Sequence, residues 1–141
     1  MDTDRVSEVQ ARLPWQEDAV HLTMPATAQN VGLARSLAAA IAARADLTID
    51  TLEDLRLAVS EAVSGAVADA VPGSQVSCSF AETSDRLSVQ VRYQSQGGRG
   101  PDTDGFSWAI MRALATELTC VIEDETVTVT LRIERSMPVQ A

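Results

Sequence analysis

The residues best suited to chemistry lie on one stretch, Leu55 to Ala66, which reads Leu-Arg-Leu-Ala-Val-Ser-Glu-Ala-Val-Ser-Gly-Ala. Its periodicity is helical, and it carries one carboxylate, Glu61, among small and apolar neighbours, with only Gly65 where an amide partner is expected. Residues four apart share one face of a helix a turn apart, so Glu61 and Gly65 address the same neighbouring groove. A catalytic or ligand-holding pair needs a second functional group there, and Gly65 supplies no side chain. The alternative is a packed helix. Ala58, Ala62, Ser64, Gly65, Ala66 and Ala68 would let a sheet or another helix approach closely, at the ~1 kcal/mol that glycine costs inside a helix.

The elements that must position this stretch follow from periodicity. Val20, Leu22 and Met24 alternate as one face of a strand, which puts His21 on the exposed face. Beyond Pro25, Thr27 is a candidate cap for a first helix with Val31, Ala34, Ala38 and Ile41 on its apolar side, running to about Ala45. Asp50-Thr51-Leu52-Glu53 has the form of a capping box for a second helix, which carries Glu61 and ends before Pro72-Gly73. Gln75 to Phe80 and Leu87 to Tyr93 form a hairpin. A glycine-rich loop, Gln94 to Asp104, leads to a third helix capped by Asp104, with Phe106, Ile110, Leu114 and Leu118 as its expected stripe. Val121-Ile122 and Val127 to Ile133 form a second hairpin turning at Glu123-Asp124-Glu125.

The order is strand, helix, helix, strand, strand, helix, strand, strand. Strands come in hairpins, which predicts an α+β fold: a mostly antiparallel sheet of about five strands with three helices on one face. The expected organisation is a flexible tail over 1–14, a single domain over 15–134 and a short tail over 135–141.

Composition narrows the function classes. The chain has 141 residues, 45% of them apolar, enough for one domain with its own core. Eleven cations, all arginine, stand against 20 Asp+Glu, for a net charge of −9. Such a chain repels nucleic-acid backbones and anionic bilayers, so neither is expected as a direct partner, and proteins with basic patches are favoured. Apolar runs such as Ser36 to Ala43 are too short to span a bilayer, and the acidic start Met1-Asp2-Thr3-Asp4 is unlike a signal peptide; a cytoplasmic location is expected. Cys78 and Cys120 lack metal-ligand or Cys-x-x-Cys spacing and are expected as reduced core thiols, with a redox pair open if their strands are adjacent.

Three local patterns, in order and on the right elements, resemble the anti-sigma-factor serine kinases of the RsbW/SpoIIAB type, which have the GHKL (Bergerat) ATPase fold, a two-layer α/β sandwich. Ala26 to Arg35 looks like that family's first-helix opening, Leu57 to Val63 like its N-box helix, and Gly105 to Met111 like its last glycine box and following helix. The resemblance implies that Glu61 stands at the general-base position. It implies that Gly65 replaces an Asn that holds Mg²⁺ against ATP, a loss because a hard cation needs oxygen ligands. It further implies that Tyr93 and Ser95, ahead of a retained Gly97, replace the Asp and Gly of an adenine-binding Asp-x-Gly-x-Gly. Ser107 replaces the second glycine of a phosphate-binding Gly-x-Gly that keeps Gly105.

Each missing contact costs ~1–3 kcal/mol on one ligand, so the expectation is a degenerate site: poor or no ATP binding, no required cofactor or metal, and a vestigial Glu61. What the resemblance leaves is the family's binding half, an anti-sigma factor that sequesters an alternative sigma factor as a homodimer and is released by a STAS-type anti-anti-sigma protein. Arg35 matches an arginine that contacts both partners. The net acidity suits the basic surface of a sigma factor. The rivals are a working serine kinase that phosphorylates the anti-anti-sigma protein with ATP, and an α+β interaction module unrelated to sigma factors.

Overall fold

Alternation of apolar and polar residues builds the sheet. In β2 (Gln75–Glu82), β3 (Arg86–Gln94) and β5 (Thr126–Glu134) every second side chain is buried: Val76, Cys78 and Phe80; Leu87, Val89, Val91 and Tyr93; Val127, Val129, Leu131 and Ile133. With β1 (Val20–Pro25) and β4 (Glu117–Glu123) they form an antiparallel sheet in the order β1-β2-β3-β5-β4. The computed structural model describes residues 18–135. The tail expected over 1–14 lies outside them, as do residues 136–141 of the C-terminal one. Among the described residues no helix is long and apolar enough to cross a membrane.

Three helices, α1 (Val31–Arg44), α2 (Ile49–Asp69) and α3 (Phe106–Leu114), cover the apolar face, as the order of elements predicts. The first two meet the sheet through small side chains: Ala34, Ala38 and Ala42 of α1 and Ala58, Ala62 and Ala66 of α2 are buried in one cluster with Leu55, Val59 and Val63. Alanine there brings helix axes and sheet close together, and the strands provide the bulk. β1 alternates as expected. His21 is exposed on the uncovered face, its Nδ1 2.8 Å from Ser79 Oγ.

Local starts differ from the sequence expectation in instructive ways. The cap of α2 is Thr48, two residues before Asp50: its Oγ1 accepts from the amide of Thr51 at 3.2 Å, leaving Asp50 inside the first turn where the helix dipole favours it. Thr27 precedes a single 3₁₀ turn, Ala28–Asn30, and makes no side-chain cap bond. The third helix is capped by Gly105 in place of Asp104 and stops at Leu114. Its expected stripe is corrected too, because Phe106 is 82% exposed and Leu118 lies on β4, whereas Trp108 and Met111 are buried. At ~100° per residue Trp108 and Met111 lie on the side of the helix opposite Phe106, so the series starts facing solvent, and its ~40° drift per step of four brings only half-buried Ile110 and Leu114 round toward the core.

Cys78, Val91, Val129 and Cys120 form one row across β2, β3, β5 and β4. Two strands stand between the thiols, a separation of roughly 14 Å at the usual strand spacing, twice what a disulfide spans. A redox pair within the chain is therefore excluded. The end of β5 is tied down by Arg135, whose amide donates to Asp85 O and whose guanidinium donates to Thr83 O and Ala45 O.

Candidate functional site

The last three turns of α2 open onto a cavity of about 430 Å³, closed on the other sides by the loop before α3, the first turn of α3 and the inner faces of β3 and β5. Glu61, Gly65 and Asp69, each four residues from the last, run along this wall. Half-buried Glu61 accepts through Oε2 a hydrogen bond from Ser107 Oγ at 3.0 Å, which ties α2 to the start of α3. Around Gly65 there is space: a Cβ built there would meet nothing within 4 Å. Asp69 accepts through Oδ2 the hydroxyl proton of Tyr93 at 2.9 Å. Burial of Tyr93, then its hydrogen bond to Asp69 and the charge of that carboxylate, hold the phenol well above its ordinary pKa, so it stays a donor.

Of the positions singled out by sequence, Glu61, Gly65, Tyr93, Gly105 and Ser107 share this one cavity. Gly105 starts α3 at ordinary φ, but a Cβ there would stand 3.0 Å from Asp102 Oδ2 and 3.2 Å from Asp102 O, so any side chain would crowd Asp102 and make it shift. Gly97 lines an adjoining depression that shares Asp69, Gly100, Pro101 and Asp102 with the cavity. Ser95 stands behind the wall. It is fully buried, its Oγ accepts from the amide of Gly98 at 3.1 Å, and its own amide donates to Glu125 O, so it fixes the loop. Arg35 is exposed on α1, away from the cavity lining, with no ion pair among the described residues.

Two cavity carboxylates escape a reading of the sequence. Asp69 was findable, since it continues the Glu61 and Gly65 spacing by one more turn. Asp102 had no such signal: it sits in a glycine-rich loop, where spacing implies no face. The floor is made by Tyr93, Trp108, Met111 and Val129, all buried. Among the described residues no three His, Cys, Asp or Glu side chains gather where they could hold a metal ion.

The family model of the histidine kinase-like ATPase domain matches residues 24–133, from the end of β1 almost to the end of β5. The chain is 34% identical over 92 residues to the serine-protein kinase RsbW of Halalkalibacterium halodurans, a match spanning 64% of this chain and 55% of that protein. It is 30% identical over 100 residues to the anti-sigma-F factor RsbW of Mycobacterium tuberculosis, spanning 71% of this chain and 60% of that one. The chain thus spans little more than half the length of these relatives. Among solved structures, that of the RsbU and RsbW domains of Rv1364c from M. tuberculosis superposes with a TM-score of 0.68 over 86% of this chain and 34% of that one, at 22% identity, a likeness of fold.

Proposed function

The chain belongs to the histidine kinase-like ATPase domain family, and from that premise we propose that it is an anti-sigma factor that works by binding, with ATP binding and kinase activity weak or absent. It sequesters an alternative sigma factor and yields it to a STAS-type anti-anti-sigma protein that competes for an overlapping surface. The names borne by its relatives, anti-sigma-F factor and serine-protein kinase, support that regulatory setting. The observation that carries the loss of nucleotide handling is the wall of α2. Where a triphosphate would need a metal ligand, Gly65 leaves empty space, and one turn on either side the carboxylates are engaged by Ser107 and Tyr93. Glycine has no oxygen for Mg²⁺, and carboxylates without a cation between them and a phosphate repel it. The residues present do not fit a metal-bound nucleotide.

Binding then rests on the surface. Arg35 projects from α1 without an ion pair among the described residues and is free to meet an acidic group on either partner. Among the described residues β1 ends the sheet, and a second copy of the chain can extend such an edge into a homodimer. The chain's net −9 complements a sigma factor's basic DNA-contacting face and gives neither nucleic acid nor membrane a reason to bind. The expected setting is the cytoplasm, where sigma factors act.

A second reading, a working serine kinase, is favoured by one observation: Glu61 and Asp69 place carboxylates at both ends of an open cavity, one near the base position and one beside the tyrosine that replaces the adenine-binding Asp. Calorimetric titration with ATP·Mg²⁺ separates the two. No measurable heat is expected, and micromolar binding would sink the degenerate-site proposal. Pull-down from the native host tests the partner claim: a sigma factor or a STAS protein should be captured, and Arg35→Ala should release both.

A further inference from the structure

Among the described residues β1 is one edge of the sheet and β4 is the other. An exposed edge is usually guarded by proline, by a charge in mid-strand or by a bulge. β4 has none of these: Leu118-Thr119-Cys120-Val121-Ile122 carries no charge and no proline, and the strand pairs with β5 residue for residue from Glu117↔Arg132 to Glu123↔Thr126. With β5 on one side only, alternate residues of β4 turn their backbone N–H and C=O away from the sheet. An added extended chain can pair with both.

Both faces of the strand also offer apolar surface. The helix layer stops short of it, since α3 ends at Leu114, and Leu118 and Cys120 on the inner face are only half-buried. Ile122 beyond them is 42% exposed, and Val121 on the outer face is 51% exposed. Charge distinguishes the two ends. At the start, Glu117 is paired with Arg132 at 2.9 Å and Arg112 lines a hollow beside Leu118. At the turn the charge is negative alone: Glu123, Asp124 and Glu125 are exposed and belong to no ion pair among the described residues.

We propose that β4 is a docking edge for an extended segment of a partner protein, apolar or β-branched in its middle and carrying arginine or lysine at the end that lies beside Glu123-Asp124-Glu125. The backbone ladder supplies the pairing, and the charge at the turn selects the partner and its direction. A second copy of this chain fits badly. Pairing β4 with itself antiparallel about Cys120 sets Glu117 opposite Glu123 twice, between chains that each carry a net −9. The edge is separate from Arg35, from the cavity and from β1, so it is a contact that neither the sigma-factor reading nor the nucleotide reading supplies.

The test uses the full ¹⁵N-labelled chain with assigned amide signals, at low salt. Three end-capped peptides are titrated: Arg-Arg-Val-Thr-Val-Thr-Val, the same with glutamate for both arginines, and the basic one with proline for both threonines. The expected result is saturable movement of the amides from Leu118 to Glu123 with the basic peptide, binding at least roughly tenfold weaker with the acidic one, and none with the proline one. Glu123→Gln with Asp124→Asn should weaken the basic peptide roughly fivefold while the spectrum stays that of a folded chain, since asparagine accepts the positive φ at 124. Equal affinity for the acidic or the proline peptide, no loss in the double variant, or movement centred on β1 or the cavity overturns the proposal. The free chain gives two further outcomes. β4 signals that move on dilution assign the edge to a second copy, and β4 amides that all exchange with solvent as slowly as those of β3, at every concentration, assign it to another segment of this chain. Either overturns the partner strand.

Discussion

Helix α2 carries two stripes with different demands on them. Toward the sheet and α1 it presents Leu55, Ala58, Val59, Ala62, Val63 and Ala66, all at 5% exposure or less and in contact with the shared core. Toward the cavity it presents Glu61, Gly65 and Asp69, each held by one hydrogen bond or by nothing. The packed stripe is constrained by volume from many neighbours at once, so its residues follow from geometry. On the cavity stripe only the ligand, or one facing side chain, sets the choice. When the ligand demand lapses, those positions are free to change without harm to the fold. The two stripes therefore predict substitutions with opposite costs.

The largest effect falls on the packed stripe. Leu55→Ala empties a fully buried site between helix and sheet and should cost about 3 kcal/mol, read as a fall in the urea midpoint at unchanged slope. A cost below about 1 kcal/mol would mean that the core collapses readily around α2, and the contrast between stripes would fail.

The core also responds to alkali. Burial pushes the Cys78 thiol up to about 12, against 9.0 for a free thiol. Between those values the unfolded chain loses the proton and the native one keeps it, so the native state binds more protons and stability falls as pH rises, by up to ~1.4 kcal/mol per unit. That contribution is complete below pH 9 and is lost toward 12. Urea titrations across this range should show the decline beginning near pH 9, and Cys78→Ala should make it shallower, leaving the part due to Cys120, whose thiol burial also raises, and then that of Tyr93. An equal slope in the variant would assign the decline elsewhere.

The fold was legible because apolar alternation and hairpin turns each specify one face or one reversal. Asp124 and Glu125 take positive φ to close β4 on β5 where the sequence places Glu123-Asp124-Glu125 as a turn. Helix starts were less legible, because Thr48 and Asp50 are both good caps and the choice lies in which one adopts the extended backbone. At the cavity, the positions of Glu61, Gly65, Tyr93, Gly105 and Ser107 followed from resemblance, and periodicity alone joined only the first two. Ser95 went astray because one residue along a loop turns a side chain from the cavity into the wall. Trp108 and Asp102 reach the cavity through a helix rotation and a glycine-rich loop that no spacing encodes.

On the cavity side, Tyr93→Phe removes the hydroxyl that Asp69 accepts and should cost about 1 kcal/mol, the value of one hydrogen bond whose partly solvated acceptor can turn to water. It also removes the tyrosine part of the alkaline decline, which begins near pH 10 because the native phenol is held above its ordinary pKa. A loss of 3 kcal/mol or more would show the Tyr93 and Asp69 pair to be part of the core instead.

The smallest effect has the opposite sign and sharpens the comparison most. Gly65 sits inside α2 with ordinary helical backbone and open space beside it, so Gly65→Ala should stabilise the chain by ~0.5–1 kcal/mol through helix propensity and a less flexible unfolded state. Alanine at a packed position would have to displace neighbours, whereas here it meets none. Gly65→Asn supplies the amide that the family resemblance implies for Mg²⁺, at a position where an added Cβ meets nothing within 4 Å. If the site has lost only that ligand, the asparagine variant should gain micromolar ATP·Mg²⁺ affinity. With Tyr93 and Ser107 unchanged and three carboxylates still lining the cavity, the expected affinity stays weaker than micromolar, since one restored contact, worth ~1–3 kcal/mol, cannot offset the others. Titration of Gly65→Ala and Gly65→Asn side by side separates what the glycine does for the helix from what its missing side chain does to the ligand.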